Sequence, residues 1–250
     1  MNHNLAMRLR TGTQESHTLA ENTAFMKLFL KGIVIRDIFR RFLANLYFVY
    51  VALEDEMRRH QDNPAVGPMY FPQVERVAAL EQDLAFYYGD DWREQVTPSA
   101  ATLRYVMRIH AIANDNPALL VAHAYVRYMG DLSGGQGLRA MARTSLGLTS
   151  DQGTAFYNFE KLPTVEMKRD FKGGYRDALN TLPINNEQAT QIVAEANLAF
   201  QLNCDMMQGL ESSIKKVVGE QVFNRITSQG HTGSTKRPNI QPQRELVTKP

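Results

Sequence analysis

Between Phe39 and Leu53 the apolar residues Phe39, Phe42, Leu43, Leu46, Tyr47, Tyr50 and Leu53 recur at steps of three and four. That period specifies a helix. Phe48, Val49 and Val51 are apolar as well, so the helix is expected to be buried nearly all round. A helix of this kind cannot lie on a surface; the rest of the chain must enclose it. It holds about a dozen apolar positions, short of the roughly 20 a bilayer span needs.

The surrounding sequence supplies more helices and no strand-like alternation between hairpin turns. Helices are expected near 4–22, 74–87, 98–113, 117–145, 163–180 and 186–226. Thr97-Pro98 and Asn116-Pro117 each offer a capping residue ahead of a proline at the first helical position. With no internal repeat and no long linker, the expected architecture is all-α, with a single domain over 1–227. Residues 228–250 are rich in Gly, Ser, Thr, Pro and Gln without apolar periodicity, and are read as a disordered basic tail. The tail has four cations, Lys236, Arg237, Arg244 and Lys249, against Glu245. Its net +3 leaves −1 for residues 1–227 out of the whole chain's +2. A near-neutral body argues against non-specific nucleic-acid binding. The lone Cys204 excludes an intramolecular disulfide framework and a Cys-rich zinc site, and fits a reducing compartment. The start MNHNLAMRLR has no apolar signal core.

Residues 123–142, HAYVRYMGDLSGGQGLRAMA, place Gly130, Gly134, Gly135 and Gly137 in an otherwise helix-compatible stretch. Each glycine inside a helix costs about 1 kcal/mol relative to alanine, so four need a reason. The spacing matches neither GxGxxG nor the P-loop pattern. Gly130, Gly134 and Gly137 share one helical face, and Asp131, Gly135 and Leu138 line the adjacent stripe. Close helix packing and a flat ligand laid against the backbone both remain open. Among the six histidines no HExxH pattern occurs. His17 has Arg10 two turns earlier on its own face and Glu21 one turn later, where a carboxylate can orient an imidazole. Lys168, Lys172 and Arg176 form a second basic row at steps of four, suited to ligand carboxylates or to solvent.

Several segments in order resemble heme oxygenase, specifically the soluble cyanobacterial type. They are HTLAEN at 17–22, FLKG at 29–32, NLYFVYVALEDEM at 45–57, FYYG at 86–89, LLVAHAYVRYMGDLSGGQ at 119–136, GTAFYNF at 153–159, FKGGYRDALN at 171–180 and EANLAFQLN at 195–203. The resemblance covers about residues 4–227. It implies a multi-helix fold with heme between a proximal helix and a kinked distal helix. His17 is then the proximal iron ligand, with Glu21 beside it, and His123 is structural. Gly130, Gly134 and Gly135 would let the distal backbone touch the porphyrin. Asp131 would hold a water directed toward the bound dioxygen, with Tyr50, Arg127 and Asn203 in the same hydrogen-bond network. Arg10, Tyr125, Lys172 and Arg176 match positions that hold the propionates, and Phe200 an aromatic wall.

The implied reaction opens heme b, both substrate and cofactor, with dioxygen as co-substrate. Its products are biliverdin IXα, ferrous iron and carbon monoxide. Reduced ferredoxin supplies the electrons, with Lys168 and Arg169 a landing surface for it. The biliverdin would feed bilin pigment synthesis through a downstream bilin reductase, in the cytoplasm and without a membrane anchor. Gly173-Gly174 departs from the bulkier residues common in the family and is expected to loosen the propionate clamp. Met129 and Cys204 bring sulfur near the pocket, with burial in the core as the plainer reading. The competing readings are a non-catalytic heme-binding or heme-transfer protein on the same scaffold, and an enzyme of the related thiamin-degrading architecture.

Overall fold

The computed structural model describes residues 4–150 and 152–230. Among them every regular element is helical. They are α1 (Leu5–Gly12), α2 (Gln14–Glu21), α3 (Ala24–Leu30), α4 (Arg36–Arg59), α5 (Val77–Tyr88), α6 (Trp92–Gln95) and α7 (Ala100–Asp115), then α8 (Leu120–Ala124), α9 (Gly130–Leu146), α10 (Val165–Thr181), α11 (Asn186–Gln208), α12 (Glu211–Val218) and α13 (Glu220–Thr227). The all-α expectation is met.

α4 is the enclosed helix its periodicity requires: Phe39, Leu43, Leu46, Val49, Tyr50 and Leu53 are fully buried, and Tyr47, Phe48 and Val51 half-buried. It packs against α5 and α7, with α8 crossing it. α11 is the second spine. It touches α1, α2, α3, α7 and α8, and opens with a capping box in which Asn185 and Gln188 exchange side-chain and backbone bonds.

Several expected spans change. The helix placed at 4–22 is two helices broken at Thr13, whose φ of −110° and ψ of 5° leave the helical region. The span 186–226 is three, interrupted at Gly209-Leu210 and at Gly219, where a φ of +82° needs a residue without Cβ. Thr97 is not a cap; Ser99, after Pro98, accepts from the Thr102 amide at 3.2 Å. Pro117 opens a 3-10 turn, Pro117–Leu119, and the Asn116 side chain makes no capping bond. The span placed at 74–87 begins at Val77 and runs to Tyr88. Within 117–145, Tyr125–Met129 forms one π-turn between α8 and α9, an insertion that bends a helix and recurs at functional sites.

At the start of the expected tail, Gln229 Oε1 accepts from Lys31 Nζ at 2.7 Å. Residues 231–250 lie outside the described residues. No described helix is long and apolar enough to cross a membrane.

Candidate active site

The glycine-rich helix resolves the two explanations of its glycines residue by residue. A Cβ built on Gly130, Gly134 or Gly137 meets nothing within 4 Å, so no protein group packs there. Gly135 differs: it is buried, and its Cβ would stand 3.2 Å from Tyr157 Cδ1. Close packing therefore explains Gly135, while the other three leave a bare strip open on the outside of α9. Tyr157 braces the inner side and accepts from Gln136 Nε2 through its carbonyl at 2.9 Å. Its loop is pinned in turn. Asp83 accepts from the Ala155 and Phe156 amides at 2.8 Å each, and buried Arg76 donates to Asn158 O at 2.9 Å while lying over the Phe159 ring. Asp83 and Arg76 carry no motif; only their burial reveals them.

Next to the strip, four site residues are linked by hydrogen bonds. The Tyr50 hydroxyl donates to Asp131 Oδ2. Arg127 donates to both Asp131 oxygens, at 3.1 and 2.9 Å, and to Asn203 Oδ1 at 2.9 Å. Burial, reinforced by the Asp131 carboxylate, pushes the Tyr50 hydroxyl well above the ordinary phenol range, so it stays a donor. Burial acts to lower Arg127, but the Asp131 carboxylate together with Tyr50 and Tyr105 outweighs it and the guanidinium stays charged. α4, the π-turn, α9 and α11 each supply one member, so the fold has to be complete before the network exists.

His17 lies on α2. Its imidazole is 31% exposed and its Nδ1 is buried, 3.7 Å from Glu21 Oε2. That separation is beyond a hydrogen bond, so the orienting hydrogen bond expected from Glu21 is not formed here. Phe200 meets the ring edge-on, with centroids 5.8 Å apart. Phe200 and Asn203 are one turn apart on α11, so a single helix touches His17 and the Asp131 network.

The expected cationic residues also converge. Burial raises the half-buried Tyr125 hydroxyl, and the charges of Arg10 and Arg176 oppose that rise, while α1 packs against α10. Burial lowers Lys168, helped by Arg139 on α9 and Lys172. Among the described residues no carboxylate lies in ion-pair range of Arg10, Lys168, Lys172 or Arg176. Arg169 pairs with Asp170 at 3.2 Å. α10 runs unbroken through Gly173-Gly174, where added Cβ atoms meet nothing.

Three further residues pack within or against the core. His123 is fully buried, its Nε2 2.9 Å from Glu195 Oε1, and Arg108 grips the same carboxylate at 2.9 and 2.5 Å. Cys204 is buried, and burial pushes its thiol up to about 11. Met129 is half-buried against the core.

Comparison with known proteins agrees with the geometry. The heme oxygenase family model matches residues 3–209. A heme oxygenase 2 of Synechocystis sp. is 50% identical over 233 residues, covering 93% of each chain. A heme oxygenase of the red alga Porphyra purpurea is 49% identical, covering 86% of this chain and 89% of its own. The crystal structure of heme oxygenase-2 from Synechocystis sp. in complex with heme and NO superposes with a TM-score of 0.91 over 93% of this chain and 95% of that one. With that match, the bare glycine strip and the linked Tyr50, Arg127, Asp131 and Asn203 side chains, this chain belongs to the heme oxygenase family.

Proposed function

We propose that His17, the open glycine strip and the Asp131 network form the site at which this heme oxygenase opens heme to biliverdin IXα, with electrons from reduced ferredoxin. The observation that carries the site assignment is the strip itself: three glycines of one helix with empty space where their side chains would be. Heme b suits the residues present. A flat ring can lie against bare backbone, its two propionates can meet cations that lack protein carboxylates, and its iron can take the exposed imidazole edge of His17.

When bound, heme supplies both the iron that activates dioxygen and the ring that is cleaved. The protein's part follows from its side chains. His17 Nε2 gives a neutral nitrogen ligand, which pushes less electron density toward an O–O bond than a thiolate does. Arg10, Lys172, Arg176 and Tyr125 would hold the propionates, and so would set how the ring is oriented in the site. Tyr50 donates to Asp131 Oδ2 while Arg127 donates to both oxygens. Those bonds hold the carboxylate in one rotamer, from which it orients a water and relays a proton through it. Asn203 keeps Arg127 in line at 2.9 Å. Gly130 and Gly134 leave the remaining space to ring and dioxygen alone.

Lys168 and Arg169 on α10 provide positive charge for acidic ferredoxin. A bilin reductase would consume the product. We place the reaction in the cytoplasm, a reading supported by the unpaired, buried Cys204 thiol.

The test is aerobic turnover of the hemin complex with reduced plant-type ferredoxin, followed by absorption and identification of the bilin. Loss of the heme band with biliverdin IXα formation supports the reading. Hemin that binds and stays intact under these conditions would make the chain a heme-binding protein instead.

A further inference from the structure

The helix carrying His17 is poorly supported from within. α2 has eight residues, and no side chain caps its first turn. The residue at the cap position, Thr13, turns its hydroxyl back to Leu9 O at 2.8 Å. A helix this short does not hold itself together in water, so its position must be set from outside.

One side chain does this at the critical end. Asn197, half-buried on α11, donates through Nδ2 to Gly12 O at 3.0 Å and to Val193 O, one turn back on its own helix, at 3.0 Å. Its Oδ1 accepts from Ser16 Oγ at 2.5 Å. The bond to Val193 O fixes the amide's rotamer; the other two clamp the residues on either side of the α1–α2 break. Gly12 is there to permit the approach, since a Cβ on it would stand 2.6 Å from Val193 Cγ1. Ser16 immediately precedes His17, and Phe200, one turn after Asn197 on α11, meets the His17 ring.

We propose that Asn197 is a positioning residue for the iron ligand: by holding Gly12 and Ser16 it sets the depth and roll of α2, and thereby the length and strain of the bond His17 makes. It touches neither heme nor dioxygen. The inference rests on His17 being the ligand, and the experiment keeps the two apart.

The full-length protein is loaded with hemin and reduced. The iron–histidine stretching vibration is recorded together with the rate of hemin loss to an acceptor globin. His17→Ala should abolish the vibration; if it persists unchanged, the ligand assignment and this inference both fall. Asn197→Ala should shift the vibration and speed hemin loss about tenfold, the scale of two lost hydrogen bonds. Ser16→Ala, which removes only the Oδ1 contact, should shift both readouts the same way by less. Asn197→Asp keeps that acceptor but lacks the donor to Gly12 O, and should resemble Asn197→Ala.

Thr190→Val serves as the control for general loosening. Thr190 is also on α11 and accepts from Arg8 of α1 at 2.6 Å, away from α2. It should lower thermal stability without moving the vibration. A vibration and hemin-loss rate unchanged in Asn197→Ala and Ser16→Ala, with His17→Ala silent, would overturn the proposal. An equal shift in Thr190→Val would overturn it as well, by making the effect one of overall stability.

Discussion

The two sides of the site are built in opposite ways. On the distal side, Tyr50 and Arg127 are buried, every network member has a side-chain partner, and Tyr157 backs the helix through Gly135. On the proximal side, His17 is 31% exposed on an eight-residue helix that borrows its support from α11. The difference matches the roles proposed for each side. A carboxylate that must hold a water in one place benefits from being locked before the ligand arrives. A ligand helix that must admit and release a large ring each turnover benefits from few internal constraints.

The comparison can be broken most forcefully at Arg127. Arg127→Leu strips Asp131 and Asn203 of a shared partner, and breaking such a buried pair costs about 3–5 kcal/mol. The ligand-free protein should melt markedly lower, whereas Arg10→Ala, at an exposed cation, should melt within a degree or two of wild type. Equal losses in a thermal scan would refute the claim that the distal side is the locked one.

The glycines sharpen the contrast within one helix. Gly134→Ala adds a methyl where nothing lies within 4 Å, so it should raise ligand-free stability by about 0.5–1 kcal/mol through helix propensity. It should weaken hemin binding by tenfold or more if that space belongs to the ring. Gly135→Ala presses on Tyr157 at 3.2 Å and should destabilise the ligand-free protein. Denaturant melts and hemin titrations read both; hemin binding undiminished in Gly134→Ala would detach the strip from the ligand.

The smallest expected effects are on pH dependence, through two buried glutamates with opposite shifts. Burial pushes the Glu54 carboxyl, one turn beyond Tyr50 on α4, up to about 8 despite its bond from the Arg76 amide. Its contribution is present below the ordinary 4.5 and is lost as pH rises through 8. Glu195 is raised by burial but more strongly lowered by His123 and Arg108, to about 2. Its contribution is present above 4.5 and is lost as pH falls toward 2. Melting temperatures across pH should therefore show Glu54→Gln flattening the decline between 4.5 and about 8, and Glu195→Gln flattening the acid one. The reverse assignment would contradict the two environments described.

What was legible in the sequence is what local pattern encodes. The period of Phe39 to Leu53 demanded an enclosed helix, and the glycine spacing marked a bare face. His123, closer in sequence to the glycines, was read as structural, and it is fully buried against Glu195. The break at Thr13 was not legible; Gly12 beside it approaches Val193, 181 residues away in the chain. Asn197, Tyr157 and Asp83 were missed too. Each is an ordinary residue at ordinary helical or loop spacing, and its role exists only once a distant segment arrives. The glycine pair at 173–174 leaves α10 continuous, since the cost of two glycines is small beside the burial of Tyr175 and Leu179.

The most direct test of the account uses Asp131→Ala in the hemin complex, with product analysis after reductant and air are supplied. The proximal side is untouched by this change, so hemin should bind and show its His17-dependent spectrum, while biliverdin formation falls by at least a hundredfold, in line with loss of a preorganised catalytic group. Biliverdin formed at the wild-type rate would contradict the assignment of the locked distal network as the part of this protein that directs ring opening.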